Sequence, residues 1–311
     1  MKHDIVLTIP IYATAVEQLD QHFTVHRLWQ AKHRSAFLAE IRDSVRAIAT
    51  GAYPINAELM NELPKTEIIA TQSVGLDHID LAAARQRRIA VVNTPDVLTE
   101  DVADIAMLLV LAVARRVVSA DRHVRSGAWL KGNLPFATKV GGATMGILGL
   151  GRIGLAIAKR AEGFGMTVVY YGPREKPGIR YRRYASLKDM AAAADYLMVS
   201  CPGGAETRNL VNAEVLAALG PEGVVINIAR GSVIDEPALV KALQEGKLGG
   251  AGLDVFVDEP RVPEALLAME HVVLLPHIGS ATHATRAAMG QLVVDNLKAH
   301  FAGKPLLTRV G

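Results

Sequence analysis

One pattern limits the folds open to this chain more than any other. Short β-branched runs alternate with Ala- and Leu-rich stretches of helical period, and the alternation occurs twice. A parallel strand needs a crossover before the chain returns, so this alternation indicates parallel sheets covered by helices. The first set of strands reads as Ile5 to Thr8, Arg46 to Thr50, Glu67 to Thr71 and Ala90 to Asn93, with helices at Asn56 to Leu63 and Leu81 to Arg87 between them. The second set reads as Thr144 to Leu148, Thr167 to Tyr171, Tyr196 to Ser200, Val224 to Ile228, Ala251 to Val255 and Val272 to Leu275. Two open α/β domains are the simplest arrangement.

The length agrees, since 311 residues exceed one typical domain and suit two. Half of the residues are hydrophobic, enough for a large core. The 34 basic and 31 acidic residues nearly balance, which argues against a nucleic-acid partner. A single cysteine, Cys201, rules out a disulfide within the chain and suggests a reducing, cytoplasmic setting. The start leads directly into the run Ile5-Val6-Leu7, too short for a secretory core. The most apolar long segment, Val102 to Val118, carries Asp104 and ends in Arg115-Arg116, so it reads as a buried helix and no membrane partner is expected.

A glycine-rich run, Gly149-Leu150-Gly151-Arg152-Ile153-Gly154, joins a buried strand to an amphipathic helix over Leu155 to Phe164. Gly149 permits the tight turn, Gly151 lets the backbone approach a pyrophosphate, and Gly154 allows the helix to pack closely on the strand. The helix start then offers unsatisfied amides, those of Arg152 and Ile153 among them, to phosphate oxygens. In that context the run points to a dinucleotide. The next strand ends at Gly172, where an NAD site normally carries Asp or Glu for the ribose. Arg174 and Lys176 follow at once and can pair with a 2′-phosphate. NADP(H) is therefore the expected cofactor, with NAD(H) as the alternative. Pro95 marks a boundary, Thr99 with Asp101 is expected to cap the long helix after it, and the helical stretch Thr282 to Phe301 is expected to return to the first domain. The expected division is a discontinuous substrate domain over 1–97 and 286–311, and a dinucleotide domain over 98–285. Both are Rossmann-like or flavodoxin-like open parallel sheets, with a cleft between them.

Three polar residues follow successive strands of the second set: Arg230, Glu259 and His277. Open α/β sheets bind ligands at these strand ends. Hydride addition to a ketone creates an alkoxide, so a proton donor must stand beside the oxygen. Histidine suits that task near neutrality. A carboxylate on its far nitrogen fixes the tautomer and stabilises the imidazolium. An arginine can hold a 2-oxo acid's carboxylate in bidentate fashion and polarise its carbonyl. Singly, Arg230 reads as a cap, Glu259 as a solvated turn and His277 as a core histidine. Together, downstream of a dinucleotide loop, they read as a catalytic set. Histidine supplies the proton, so no metal is expected.

The same residues carry a resemblance. The glycine loop, Asn227-Ile228-Ala229-Arg230-Gly231-Ser232-Val233-Ile234-Asp235-Glu236, Gly252-Leu253-Asp254-Val255-Phe256 and Pro276-His277-Ile278-Gly279-Ser280-Ala281-Thr282 resemble the D-isomer-specific 2-hydroxyacid dehydrogenase family over nearly the whole chain. The resemblance implies Arg230, Glu259 and His277 as the catalytic trio, and Asp254 at the nicotinamide carboxamide. It implies that the amides of Val74 and Gly75, in Ser73 to Asp80, hold the substrate carboxylate. The substrate would lie between the domains, and the product would be the D-2-hydroxy acid. Gly51, after a first-domain strand, is expected to flank the substrate. The expected cofactor surface also includes Cys201, Pro202, Thr207, Ile228, Ala229, Gly279 and Ser280, with Cys201 serving as packing. Within the family, the loop at Gly172 and Arg174 is most similar to glyoxylate/hydroxypyruvate reductases. Formate dehydrogenases normally have glutamine before the histidine, where this chain has Pro276. The regulatory domain that phosphoglycerate dehydrogenases often add is not expected here. The helix from Asp101 and the turn at Trp129 resemble a dimerisation arm, so a homodimer is expected. Trp129 itself is expected either at a partner's pocket or buried in its own domain. Reduction of a larger 2-oxo acid (a phenylpyruvate or 2-keto sugar acid) and nucleotide sensing without catalysis are the alternative functions.

Overall fold

The computed structural model describes residues 2–310. One compact unit comprises Met1–Leu98 with Ser280–Gly311, and the other Thr99–Gly279. In the first, β1 (Asp4–Leu7), α1 (Ala13–His22), β2 (Thr24–Arg27), α2 (Arg34–Ile41), β3 (Val45–Thr50), α3 (Ala57–Glu62), β4 (Ile68–Thr71), α4 (Leu81–Gln86) and β5 (Ala90–Val92) succeed one another. The second holds α5 (Thr99–Ala114), α6 (Val117–Arg125), β6 (Thr144–Leu148), α7 (Arg152–Gly163), β7 (Thr167–Tyr171), β8 (Arg182–Tyr184), α8 (Leu187–Ala192), β9 (Tyr196–Val199), α9 (Ala213–Leu219), β10 (Val224–Asn227), α10 (Glu236–Gln244), β11 (Gly250–Leu253), α11 (Glu264–Leu267) and β12 (Val272–Leu274). The chain returns to the first unit through α12 (His283–Phe301).

Among the described residues, the first unit has a five-stranded sheet in the order β2-β1-β3-β4-β5, parallel throughout. Alternate residues supply its two cores. Val6, Ile48, Ile69 and Val91 face α2, α3 and α4, and Ile5, Leu7, Ala47, Ile68 and Val92 face α1 and α12. Burial on both faces explains why these strands read as continuous apolar runs. The return starts at Ser280, ahead of the expected 286, because α12 is already committed by its first turn. The Thr282 hydroxyl accepts from Thr285 N at 3.2 Å, and Tyr12 Oη lies 2.9 Å from His283 Nδ1. Further along, Gly290 brings α12 so close to α1 that a Cβ there would lie 2.6 Å from the Cβ of Ala15.

The second unit's sheet has seven parallel strands in the order β12-β11-β10-β9-β6-β7-β8. The chain runs outward from β6 through β7 and β8, then crosses back to β9 and continues the other way. That reversal makes the β6/β9 pair the switch point where open sheets bind ligands. The expected buried helix over Val102 to Val118 is two helices. Arg116 adopts φ 53°, which turns the chain after α5, so Val117 and Val118 belong to α6 and are exposed. Thr99 and Asp101 lie inside the first turn of α5, where Asp101 favours the helix dipole, and do not precede it as caps. No helix among the described residues is long and apolar enough to cross a membrane.

Candidate active site

The glycine loop leaves β6 at the switch point. Gly149 has φ 94°, and a Cβ there would stand 2.6 Å from the backbone of Cys201, after β9. Only glycine fits both constraints. The Gly149 amide donates to Tyr171 O at 2.9 Å, and Ser200 Oγ donates to Gly149 O at 2.8 Å, so the turn is fixed from both neighbouring strands. A Cβ on Gly154 would collide with the Gly149 carbonyl, which accounts for the close helix packing. The α7 start has no side-chain cap and no acidic residue in its first turn, and a Cβ on Gly151 would meet nothing within 4 Å. An uncapped helix start beside open space fits a pyrophosphate. Around this cradle, Ile228 and Ala229 are buried, and Thr207 Oγ1 donates to Pro202 O at 2.7 Å. Burial pushes the Cys201 thiol up to about 11, so it stays protonated and serves as packing.

Beyond β7, Gly172 stands where a ribose-binding carboxylate would be, and a Cβ there would meet no atom within 4 Å. Arg174, Glu175 and Lys176 are exposed, and no side-chain ion pair links them among the described residues. The loop is held at both ends. Arg183 Nε and Nη2 donate to Gly172 O at 3.2 and 3.0 Å, and Lys176 N donates to the buried Tyr170 hydroxyl at 3.2 Å. The sequence reading missed Arg183, which lies on β8, a strand it did not foresee.

Arg230, Glu259 and His277 all follow C-terminal strand ends of this sheet. Glu259 Oε2 lies 2.7 Å from His277 Nδ1, and Glu259 Oε1 accepts from Phe256 N at 3.0 Å. A carboxylate can only accept here, so His277 Nδ1 carries a proton and Nε2 is left to give or take one. Partial burial would raise the Glu259 carboxyl, but the bonds from His277 and Phe256 and the charge of Arg230 outweigh it and hold the group below its usual range. His277 itself adopts φ 54°, a left-handed conformation that costs a non-glycine residue about 1–2 kcal/mol. Asp254, 1% exposed, offsets that cost by accepting from Ile278 N at 2.7 Å and Gly279 N at 2.8 Å. Burial raises the Asp254 carboxyl despite those two amides. Arg230 is set by Asn227, whose Nδ2 donates to Arg230 O at 2.9 Å and whose Oδ1 accepts from Ala229 N at 3.0 Å. Arg230 Nη1 donates to Ala229 O at 2.7 Å. Gly231, next to it, has no room for a Cβ against the backbone of Phe256.

The remaining expected residues lie elsewhere. Ser280 opens the returning segment of the first unit. Val74 and Gly75 form part of that unit's loop after β4. Asn93 Nδ2 donates to Val74 O at 3.0 Å, and no acceptor is found for the amides of Val74 and Gly75 among the described residues. The Gly51 carbonyl accepts from Thr71 Oγ1 at 3.0 Å, and Ile9 fills the space beside Gly51, 3.0 Å from where its Cβ would be. Trp129 is 62% exposed, which overturns burial in its own domain. Its Nε1 donates to Asn133 Oδ1 at 3.1 Å.

The chain is similar to known proteins in both sequence and structure. The family model for the NAD binding domain of D-isomer specific 2-hydroxyacid dehydrogenases matches residues 107–279. A hydroxyphenylpyruvate reductase of Plectranthus scutellarioides is 49% identical over 307 residues, covering 98% of each chain. A glyoxylate/hydroxypyruvate reductase A of Arabidopsis thaliana is also 49% identical, with 98% of each chain covered. Among solved structures, an NADPH-dependent glyoxylate/hydroxypyruvate reductase from Sinorhizobium meliloti, in complex with NADP and malonate, is similar with a TM-score of 0.95 and 45% identity, over 100% of this chain and 97% of that one. With a dinucleotide cradle at the switch point of its sheet and relatives matched from end to end, this chain belongs to the D-isomer specific 2-hydroxyacid dehydrogenase family.

Proposed function

We propose that this chain reduces small 2-oxo acids of the glyoxylate and hydroxypyruvate type to D-2-hydroxy acids, with NADPH as the preferred reductant. The observation that carries the proposal is the 2.7 Å pair of Glu259 and His277, at the same sheet end as Arg230 and the glycine loop. The backbone amides of Arg152, Ile153 and Gly154 at the uncapped α7 start would hold the cofactor's phosphates. A bound nicotinamide supplies the hydride. Arg230 binds the substrate carboxylate and polarises the 2-oxo group, and the amides of Val74 and Gly75 are assigned to substrate binding. His277 Nε2 delivers the proton to the substrate oxygen, while Glu259 holds the ring and stabilises the charge it carries before transfer. Asp254 keeps the His277 turn in place and is assigned to the nicotinamide carboxamide. Arg174 and Lys176 serve a 2′-phosphate, and the acid-free position of Gly172 supports that choice.

A panel of 2-oxo acids assayed with NADPH and NADH tests the function. Faster NADPH oxidation with glyoxylate or hydroxypyruvate is expected. A second reading, reduction of a larger acid, draws on the relative named hydroxyphenylpyruvate reductase. Selective turnover of aryl pyruvates would favour it. Cofactor binding with no turnover of any 2-oxo acid would reject the enzyme and leave a nucleotide sensor.

We further propose a cytoplasmic homodimer. Val117, Val118, Val124, Trp129, Leu130 and Phe136 are all exposed along α6 and the segment after it, and a monomer seldom leaves so much apolar surface in water. Sedimentation of the wild type and of Trp129→Ala tests the interface. A wild type that sediments as a monomer would refute it.

A further inference from the structure

Arg183 sits in register with Tyr170, as Tyr184 does with Tyr171. Paired residues of neighbouring parallel strands point to the same face, and alternation puts position 172 on the face of 170. Arg183 therefore shares a face with the side chain that Gly172 lacks. Its Nε and one hydrogen of Nη2 donate to the Gly172 carbonyl, and the place of a Cβ on Gly172 beside them is clear of every atom within 4 Å. The other N–H groups of the fork remain to donate. The neighbouring arginines are differently engaged. Arg180 pairs with Glu162, and Arg182 is exposed with its guanidinium 4.7 Å from the ring centre of Tyr184. Arg183 is half-buried and has no acidic partner among the described residues. A cation withdrawn from water without a counter-ion is unfavourable, and a neutral donor would hold a carbonyl as well.

We infer that Arg183 is a specificity-determining residue that binds the 2′-phosphate of NADPH from the strand side, at the place a ribose-binding carboxylate occupies in an NAD site. The inference rests on the NADPH reading above and adds to it a preset charge. Arg174 and Lys176 lie on the exposed loop and close on the phosphate from outside, whereas Arg183 is anchored on the loop's first carbonyl before any ligand arrives. Gly172 is needed on this account because a side chain there would extend into the open space left for the phosphate.

Equilibrium binding of NADPH, NADH, 2′,5′-ADP and 5′-AMP to the wild type, Arg183→Gln, Arg183→Lys and Arg174→Ala tests this, with thermal melting as a check on folding. Arg183→Gln should raise the Kd for NADPH and for 2′,5′-ADP by about tenfold, the scale of a lost charged hydrogen bond, with NADH and 5′-AMP changed less than about twofold. Arg183→Lys should recover part of the loss. Equal weakening of phosphorylated and unphosphorylated ligands would reduce Arg183 to a loop anchor and overturn the inference, as would no change in either. If the wild type prefers NADPH and Arg174→Ala erodes that preference while Arg183→Gln does not, the inference on Arg183 alone fails. If the wild type binds NADPH no better than NADH, the NADPH reading beneath it fails as well. Should Arg183→Gln not fold, Arg183→Lys carries the test, and an unaltered ratio of 2′,5′-ADP to 5′-AMP affinity in that variant would overturn the inference.

Discussion

The turn after β12 and the loop after β7 leave the same end of one sheet, yet they hold their functional side chains in opposite ways. His277 is fixed on three sides: Glu259 at 2.7 Å on Nδ1, and Asp254 on the next two amides at 2.7 and 2.8 Å. Arg174 and Lys176 are exposed and unpaired by any acid among the described residues. The contrast follows from the tasks proposed for them. Proton transfer needs an atom within hydrogen-bond reach in one orientation, so the protein spends backbone strain to set it beforehand. Recognition of a phosphate dianion tolerates more movement, because charge attraction falls off gently with distance. Arg183 lies between these extremes, anchored like His277 but charged like its loop neighbours.

The largest effect should come from the fixed side. His277→Ala should cut kcat by roughly 10²–10⁴-fold with the Kd for NADPH little changed, since general acid catalysis is worth about that much. Near-normal steady-state turnover would erase the contrast. Glu259→Gln keeps the shape and removes the charge. A charged hydrogen bond is worth roughly 1.5–3 kcal/mol, so kcat should fall about ten- to hundredfold. On the loop, Arg174→Ala should raise the Kd for NADPH by only about two- to fivefold, as expected for an exposed ion pair, and leave NADH binding unaltered. A loss there as large as that at His277 would mean the loop is as preset as the turn.

The smallest effect is in stability against pH. Against the opposing effect of burial, the bonds from His277 and the Phe256 amide hold the Glu259 carboxyl below the usual carboxylate range in the folded state. Ionised Glu259 therefore contributes stability that is fully present above the unfolded value and fades as pH falls through the folded one. Melting curves of the wild type and Glu259→Gln should differ most above about pH 5 and converge in more acid solution, below the usual carboxylate range. A gap that widens on acidification would reverse the sign.

Much of this was legible in the residues. Central strands such as β4 and β10 are buried on both faces and announce themselves as apolar runs, and Gly149 to Gly154 carry their reason in their spacing. The edge strands β2 and β8 do not, unlike the apolar edges β5 and β12. β2 reads Thr-Val-His-Arg and β8 reads Arg-Arg-Tyr, because each has one neighbour and an open side, so polar residues cost little there. Missing β8 meant missing Arg183, whose meaning depends on its register with β7. The break between α5 and α6 was hidden for another reason. Apolar residues continue across it, and only the left-handed Arg116 separates a buried face from an exposed one. The trio was legible as residue types after strands, whereas the support from the Phe256 amide and the two bonds of Asp254 depends on loop paths that no periodicity reveals.

A double-mutant cycle on kcat for glyoxylate reduction, using His277→Ala, Glu259→Gln and their combination, asks most directly whether the imidazole and the carboxylate act as one proton-donating unit. The double variant should be no slower than His277→Ala alone, because Glu259 has nothing left to orient once the ring is gone. Losses that multiply across the two substitutions would contradict that coupling.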